Sequence, residues 1–332
     1  MGIIYNEKAK TFTLHTQNTT YQMQIDAYGF LLPRYYGRNI DGVMDYLLTY
    51  ADRGFSGNPQ DTGNDRTYSL DVLPQEFPCR LTGDFRSPVL DLVNADGSFG
   101  CDLRYQGYEI CDGKYNLKGL PAVYAAEEEA QTLIIYMKDQ VTGLQVELLY
   151  GVLPEYDVIT RSAKVINTEE DKIRLTKAQA ACIDFLHGEF DVISFYGRHA
   201  MERNMQRTSV GHGAFVIGSR RGTSSHQYNP MMILAEKETT EDAGNCYGMS
   251  FVYSGGFKAE VEKDQFGQTR MQMGLQEEQF SYPLKKGEEF VIPEVILTCS
   301  NQGLEKLSQN LQRCIRKNLC RGKYKEKVTS GR

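Results

Sequence analysis

Apolar residues recur at every second position through much of the chain before residue 300. Leu144, Val146, Leu148 and Tyr150 show the pattern, which is typical of a strand with one buried face. Further segments with strand-like composition are 132–137, 157–166, 213–218, 231–235, 247–253, 257–262, 269–275 and 290–298. Turn-forming segments rich in Gly, Asn, Ser and Lys separate them. The spacing predicts an all-β fold, a large antiparallel two-sheet β-sandwich over residues 1–300.

The periodicity changes after Ser300, a residue type that favours the N-cap of a helix. The apolar positions that follow fall on one face of a helix: Leu304, Leu307, Leu311, Ile315 and Leu319. We therefore predict one amphipathic helix within 301–324 that packs its apolar stripe on the sandwich.

Composition and charge narrow the class of protein. The chain has 332 residues, of which 41% are hydrophobic and 24% charged, enough to bury a core without a metal or disulfides. The net charge of −6 argues against a nucleic-acid partner, because phosphate binding needs clustered Lys and Arg. The one basic cluster, 313–327, is interpreted as a solvated helix face.

The sequence shows neither a signal peptide nor a membrane-spanning segment, and this bears on the expected cellular location. The first residues, MGIIYNEKAK, contain no apolar signal-peptide region, and no run approaches the ~20 apolar residues of a membrane span. The 8 Cys show no CxxC pairs and are predicted to be reduced thiols. We expect a cytoplasmic protein with no membrane partner.

Residues that commonly carry chemistry form no recognisable catalytic or metal motif. The 5 His residues are irregularly spaced, so we expect no metal and no cofactor. No GxSxG elbow or Gly-rich phosphate loop is present. Asp84 follows Gly83 and precedes Phe85, and is predicted to be a turn residue that accepts local backbone amides.

Several collinear motifs carry a family resemblance, the longest being 197–230 (GRHAMERNMQRTSVGHGAFVIGSRRGTSSHQYNP). The others are 50–59 (YADRGFSGNP), 65–78 (DRTYSLDVLPQEFP), 83–86, 116–122, 158–163, 251–255, 264–267 and 321–324. Together they resemble the N-terminal domain of the bacterial family 36 glycoside hydrolases, the α-galactosidases. The resemblance implies a β-supersandwich of the galactose-mutarotase type, followed by a helix that leads to a (β/α)8 barrel.

The resemblance also implies where the chemistry resides. In that family the nucleophilic Asp lies in a Lys-Trp-Asp run of the barrel, and this chain contains no Trp. We therefore expect a chain truncated before its catalytic barrel, with 325–332 as a tail, no catalytic residue and no activity alone. The implied parent is a homo-oligomer, with a tetramer expected, that cleaves terminal α-galactosyl groups of melibiose- and raffinose-type sugars with retention.

Three residues are implied as substrate contacts, because the family's N-terminal domain reaches over a neighbouring subunit's barrel. Asp52 and Arg66 match residues near the neighbour's sugar, where a carboxylate and a guanidinium can bond hydroxyls. The alternatives are that Asp52 only caps a turn, and that Arg66 pairs with Asp65 or Asp61. Asn204 stands where some relatives have a stacking Trp, and an amide offers hydrogen bonds but no stacking face.

Residues 221–230 (RGTSSHQYNP) are predicted to form a turn rather than a sugar site. In it Ser224, Ser225 and Asn229 bond backbone groups and Pro230 starts a strand. The alternative is direct sugar contact by His226.

Two further functions stay open at the level of sequence. The chain could be a stand-alone carbohydrate-binding or mutarotase-like sandwich, or a purely structural oligomerisation module.

Overall fold

The computed structural model describes residues 2–54, 57–168, 172–322 and 325. The part of the chain that it describes is built from strands, with one α-helix near its end. The strands are β1 Ile3–Asn6, β2 Thr11–His15, β3 Thr19–Ile25, β4 Leu31–Arg38, β5 Leu90–Val93, β6 Leu103–Asp112, β7 Gln131–Asp139, β8 Gln145–Leu153, β9 Val158–Ile166, β10 Ile173–Phe185, β11 Phe190–Arg198, β12 Met201–Ser209, β13 Gly213–Gly218, β14 Tyr228–Glu236, β15 Cys246–Phe251, β16 Phe257–Lys263, β17 Thr269–Leu275, β18 Tyr282–Leu284 and β19 Glu289–Ser300. The α-helix is α1, Gly303–Asn318.

The strands form three sheets. The largest has nine strands in the order β12-β11-β14-β15-β19-β9-β8-β7-β6, and a second, six-stranded sheet contains β13-β16-β17-β10-β18 with β5 beside β10. A four-stranded sheet, β1-β2-β3-β4, is formed by the N-terminal residues. Each pairing between these described strands is antiparallel. The predicted all-β, antiparallel fold class with a C-terminal helix is confirmed.

One apolar core joins the three sheets. It includes Val146 of the nine-stranded sheet, Met271 of the six-stranded sheet and Phe12 of the N-terminal sheet, all completely buried. Burial of such side chains from facing sheets is what stabilises a sandwich. The N-terminal sheet packs on this same core, and the sequence pattern did not distinguish it as a separate sheet.

The predicted strands match observed ones. Segments 213–218 and 269–275 coincide with β13 and β17, and 257–262 lies within β16. Ten of the strands in the described residues carried no prediction: β1 to β6, β10, β11, β12 and β18.

The helix start differs from the prediction. Ser300 is not the N-cap but the last residue of β19, where it pairs with Cys246. Backbone carbonyls take the place of a side-chain cap, because the amides of Leu304 and Glu305 donate to the carbonyls of Thr240 and Glu241. These bonds satisfy N–H groups that a helix leaves free in its first turn.

The buried face of α1 is also rotated from the predicted stripe. Leu307, Leu311 and Cys314 are buried, whereas Leu304 and Ile315 are half-buried, and Leu319 lies beyond the helix end. The buried residues pack against apolar side chains of the nine-stranded sheet such as Ile233 and Ile296. Asn310 and Asn318 share this face, which a hydrophobic pattern could not indicate.

Three further sequence expectations concern the chain as a whole. All eight cysteines are free thiols, and no helix among the described residues is long and apolar enough to cross a membrane. Residues 326–332 of the predicted tail lie outside the described residues. The division at 300 and 324 stays a prediction.

Candidate functional site

The described residues between β4 and β5 form a long loop with two short 3-10 turns, and this loop brings two predicted site residues together. Arg66 Nε lies 3.3 Å from Asp52 Oδ2, and Arg66 Nη2 lies 3.4 Å from Asp52 Oδ1. Asp52 Oδ1 also accepts the Gly54 amide at 2.9 Å. Asp52 thus caps a local turn, which was the alternative to a sugar contact, and it also binds the Arg66 guanidinium.

Arg66 does not pair with either acid that the sequence offered as an alternative. Asp65 accepts the amide and hydroxyl of Thr67, and Asp61 pairs with Arg104 at 3.0 Å. The Asp52 and Arg66 side chains are 44% and 66% exposed, so both are open to solvent on the loop surface. An ion pair this exposed contributes little to stability, about 1 kcal/mol or less.

The loop that carries Asp52 is held by contacts on both sides. The Arg53 guanidinium lies 5.7 Å from the centroid of the Phe266 ring. The Gly57 carbonyl accepts the Ser69 hydroxyl at 3.2 Å. Phe55 and Ser56, part of the motif that predicted this loop, lie outside the described residues.

A buried network of four charges lies beneath these loops. Arg270 contacts Asp84 and Asp184, each at 2.7 Å, while Arg86 lies 2.8 Å from Asp84 and 3.6 Å from Asp184. None of the four side chains is more than 4% exposed. Arg86 also donates to the carbonyls of Leu70 and Leu73, at 2.9 and 2.6 Å. The network therefore ties the loop to β10 and β17.

The network shifts the pKa of its members. Burial alone would raise the pKa of Asp184, but the Arg270 and Arg86 guanidiniums outweigh burial and hold that pKa below its usual range. Asp84 accepts the Arg86 amide at 3.0 Å, as its predicted turn role requires. Its buried ion pair with Arg270 was not predicted, because the two residues are remote in sequence.

Phe85 lies between two anchored residues and points outward. Asp84 and Arg86 are each 6% exposed, whereas Phe85 is 73% exposed. Tyr46 and Leu81 of the same inter-strand segment are 69% and 68% exposed. Each of these side chains leaves apolar area exposed on the segment between β4 and β5.

Asn204 occupies a different element from the other two predicted site residues. It is half-buried on β12, the edge strand of the nine-stranded sheet, and its Nδ2 donates to the Met201 carbonyl at 2.9 Å. In the described part of the chain, no hydrogen bond or ion pair joins Asn204 to Asp52 or Arg66.

The 221–230 segment matches its prediction only in part. Ser224 donates to the Ser254 carbonyl and Ser225 accepts the Gln227 amide, as a turn would require. The predicted backbone bond from Asn229 is wrong for its Oδ1, which is buried and has no partner among the described residues. The strand begins at Tyr228 rather than Pro230, because Tyr228 already pairs with Tyr196 of β11.

The side chains of the described residues do not offer the geometry that a metal ion needs. No group of three or more His, Cys, Asp and Glu side chains among them is arranged to hold an ion. The site is thus an exposed acid and guanidinium on a loop that an ion pair and hydrogen bonds hold in place, an arrangement suited to hydrogen bonding with polar groups.

This chain matches a family model and is similar in sequence to known proteins. Residues 29–285 match the family model described as the Glycosyl hydrolase family 36 N-terminal domain. The chain is 61% identical over 98% of its length to the bifunctional alpha-galactosidase/sucrose kinase AgaSK of Mediterraneibacter gnavus, and covers 35% of that protein.

Solved structures agree with the sequence matches. The galactosidase domain of AgaSK superposes with a TM-score of 0.96 at 60% identity, over 98% of this chain and 45% of that one. A variant of the alpha-galactosidase AgaA of Geobacillus stearothermophilus, in complex with raffinose, gives a TM-score of 0.92 at 40% identity, over 95% of this chain and 44% of that one. The chain spans less than half the length of these relatives.

Proposed function

The chain belongs to the N-terminal domain family of glycosyl hydrolase family 36. We propose that it acts as the non-catalytic N-terminal domain of an α-galactosidase. The parent enzyme removes terminal α-galactosyl groups from melibiose- and raffinose-type oligosaccharides with retention. Such chemistry needs two carboxylates that flank the scissile bond. They reside outside this chain, which is inactive alone.

The exposed Asp52–Arg66 pair is the observation that carries the proposal. Arg66 and the Gly54 amide fix the Asp52 carboxylate, and its exposure leaves acceptor positions free. A carboxylate oriented in this way can accept hydrogen bonds from sugar hydroxyls. Its side chain is already ordered, so binding carries a smaller entropy cost. Arg66 retains further N–H donors for a second hydroxyl.

We propose further that these residues serve a neighbouring subunit in a homo-oligomer, a tetramer in the parent enzyme. The exposed Tyr46 and Phe85 supply apolar area for that contact. Asn204, whose Nδ2 is engaged by the Met201 carbonyl, offers its Oδ1 as a third contact to the sugar. The enzyme works in the cytoplasm.

A chimera tests the proposal, in which this chain replaces the matching segment of AgaSK. Asp52→Ala in the chimera should lower kcat/KM for raffinose by roughly 10- to 150-fold, because a lost charged hydrogen bond costs ~1.5–3 kcal/mol. Glu238→Gln, at an exposed carboxylate on another loop, is the control. Unchanged kinetics in an intact oligomer would make Asp52 a turn residue only.

A further inference from the structure

A cleft of about 410 Å³ opens between the 57–61 and 81–83 segments, beside the loop that carries Asp52. Its lining combines polar side chains, including Asp61, Asp102 and Arg104, with the apolar Phe30 and Leu81. The volume lies in the range of small-ligand sites. The cleft involves neither Asp52 nor Arg66.

Arg104 organises the polar side of the cleft. Its guanidinium lies 3.8 Å from the centroid of the Phe30 ring and donates to the Tyr28 carbonyl at 2.6 Å. It binds Asp102 at 2.6 and 2.8 Å and Asp61 at 3.0 Å. Both carboxylates are thereby fixed as acceptors, and their side chains are 42% and 58% exposed.

Leu81 supplies an apolar ridge at the edge of the cleft. It is 68% exposed and adopts a φ of 65°, a left-handed conformation that costs energy for a side chain of this kind. Leu81 also lines a neighbouring cleft of about 800 Å³, whose walls include Asp96, Ser98 and Asp139. The two clefts therefore meet at Leu81 and Asp102, which line both.

A buried acceptor adds to the polar wall. Among the described residues the shielded Asn58 Oδ1 has no hydrogen-bond partner, while its Nδ2 donates to the Asp65 carbonyl at 2.8 Å. An acceptor left without a partner is costly, and the Asn58 side chain belongs to the lining of the cleft.

We propose that this cleft binds a hexose unit of a neutral oligosaccharide, with the adjoining cleft accepting the next unit across Leu81. Sugar hydroxyls donate to the fixed Asp61 and Asp102 carboxylates, and the apolar face of the ring lies against Leu81. The acidic lining disfavours anionic ligands, since like charges repel. Fixed acceptors beside apolar side chains match a polyhydroxylated ring better than a purely apolar partner.

The test measures binding of raffinose to the isolated 332-residue chain by NMR titration. The choice of raffinose rests on the proposed function, but the assay needs no catalytic region and does not depend on Asp52. Asp61→Asn removes the exposed charge, and Leu81→Asn removes the apolar ridge with a residue that tolerates a positive φ. Glu238→Gln is the control.

We expect saturable raffinose binding that each cleft variant weakens by about fivefold or more, while Glu238→Gln binds as the unaltered chain does. Absence of saturable binding to the unaltered chain would overturn the proposal. So would equal affinity in the cleft variants, or binding of oligolysine in place of raffinose, which would assign the cleft to a cationic peptide.

Discussion

Arg270 lies between the carboxylates of Asp84 and Asp184, 2.7 Å from each, and its side chain is fully buried. It thereby joins β17 to β10 and to the long loop that presents Asp52 and Phe85. Two buried anions share this cation with Arg86, so no member of the network can be removed without leaving an uncompensated charge.

Replacement of Arg270 should therefore be severe. We expect Arg270→Met to lower the free energy of unfolding by about 3–5 kcal/mol, because both carboxylates stay buried with one guanidinium fewer. Urea unfolding followed by circular dichroism measures the change. Arg174→Met, at an exposed arginine on β10, should change stability by less than about 0.5 kcal/mol. A loss under about 1 kcal/mol for Arg270→Met would contradict a structural role for the network.

The same network predicts loss of stability in acid. The pKa of Asp184 is lowered in the folded protein, so the carboxylate stabilises the fold above the unfolded-state pKa of about 3.9. That contribution is lost as pH falls through the lower, folded-state pKa. We expect the free energy of unfolding to fall below about pH 4, and to fall less steeply in Asp184→Asn, which is less stable at neutral pH. Parallel pH profiles for the two proteins would refute the assignment.

Gly83 should be sensitive to substitution by alanine because of a steric contact as well as backbone strain. Gly97 serves as a control that carries the strain alone. Both Gly83 and Gly97 have a left-handed φ, of 97° and 87°, but a Cβ at Gly83 would lie 2.9 Å from the Gly57 carbonyl oxygen, whereas space around Gly97 is open. Gly97→Ala should cost about 1 kcal/mol from strain alone, and Gly83→Ala more by about 1 kcal/mol or above. Equal losses in thermal unfolding would show that the 83–85 turn does not press on the Asp52 loop.

The isolated chain should show no glycosidase activity. A glycosyl-enzyme cannot form without the paired carboxylates of a catalytic region, so we expect no hydrolysis of para-nitrophenyl α-galactoside above the buffer rate. The AgaSK chimera serves as the positive control. Turnover that survives purification and disappears when one carboxylate of this chain is neutralised would contradict the prediction.

Strand prediction succeeded where apolar alternation was intact and failed where polar residues are buried. Strand β10 buries Lys177 and Gln179, so it lacks the apolar periodicity of a half-buried strand. β12, an edge strand that is mostly exposed, has no buried face to produce alternation. In each case tertiary pairing, rather than local pattern, sets the structure.

The candidate site was predictable only through the family motifs. These identified Asp52 and Arg66, but the pairing of the two depends on loop closure that spacing does not reveal. The Asp84–Arg270 contact and the Asp61–Arg104 contact likewise join remote segments. Long-range ion pairs leave no periodic signal, so a single sequence cannot indicate them.

Subunit mixing tests most directly whether this domain completes a neighbour's sugar pocket. One AgaSK chimera carries Asp52→Ala with an intact catalytic region, and the other keeps Asp52 but has its catalytic nucleophile replaced. After dissociation and joint reassembly, we expect mixed oligomers to recover kcat/KM for raffinose well above either parent, because intact Asp52 acts on the neighbour's catalytic region. Activity that stays at the level of the Asp52→Ala chimera, in oligomers shown to be mixed, would contradict it.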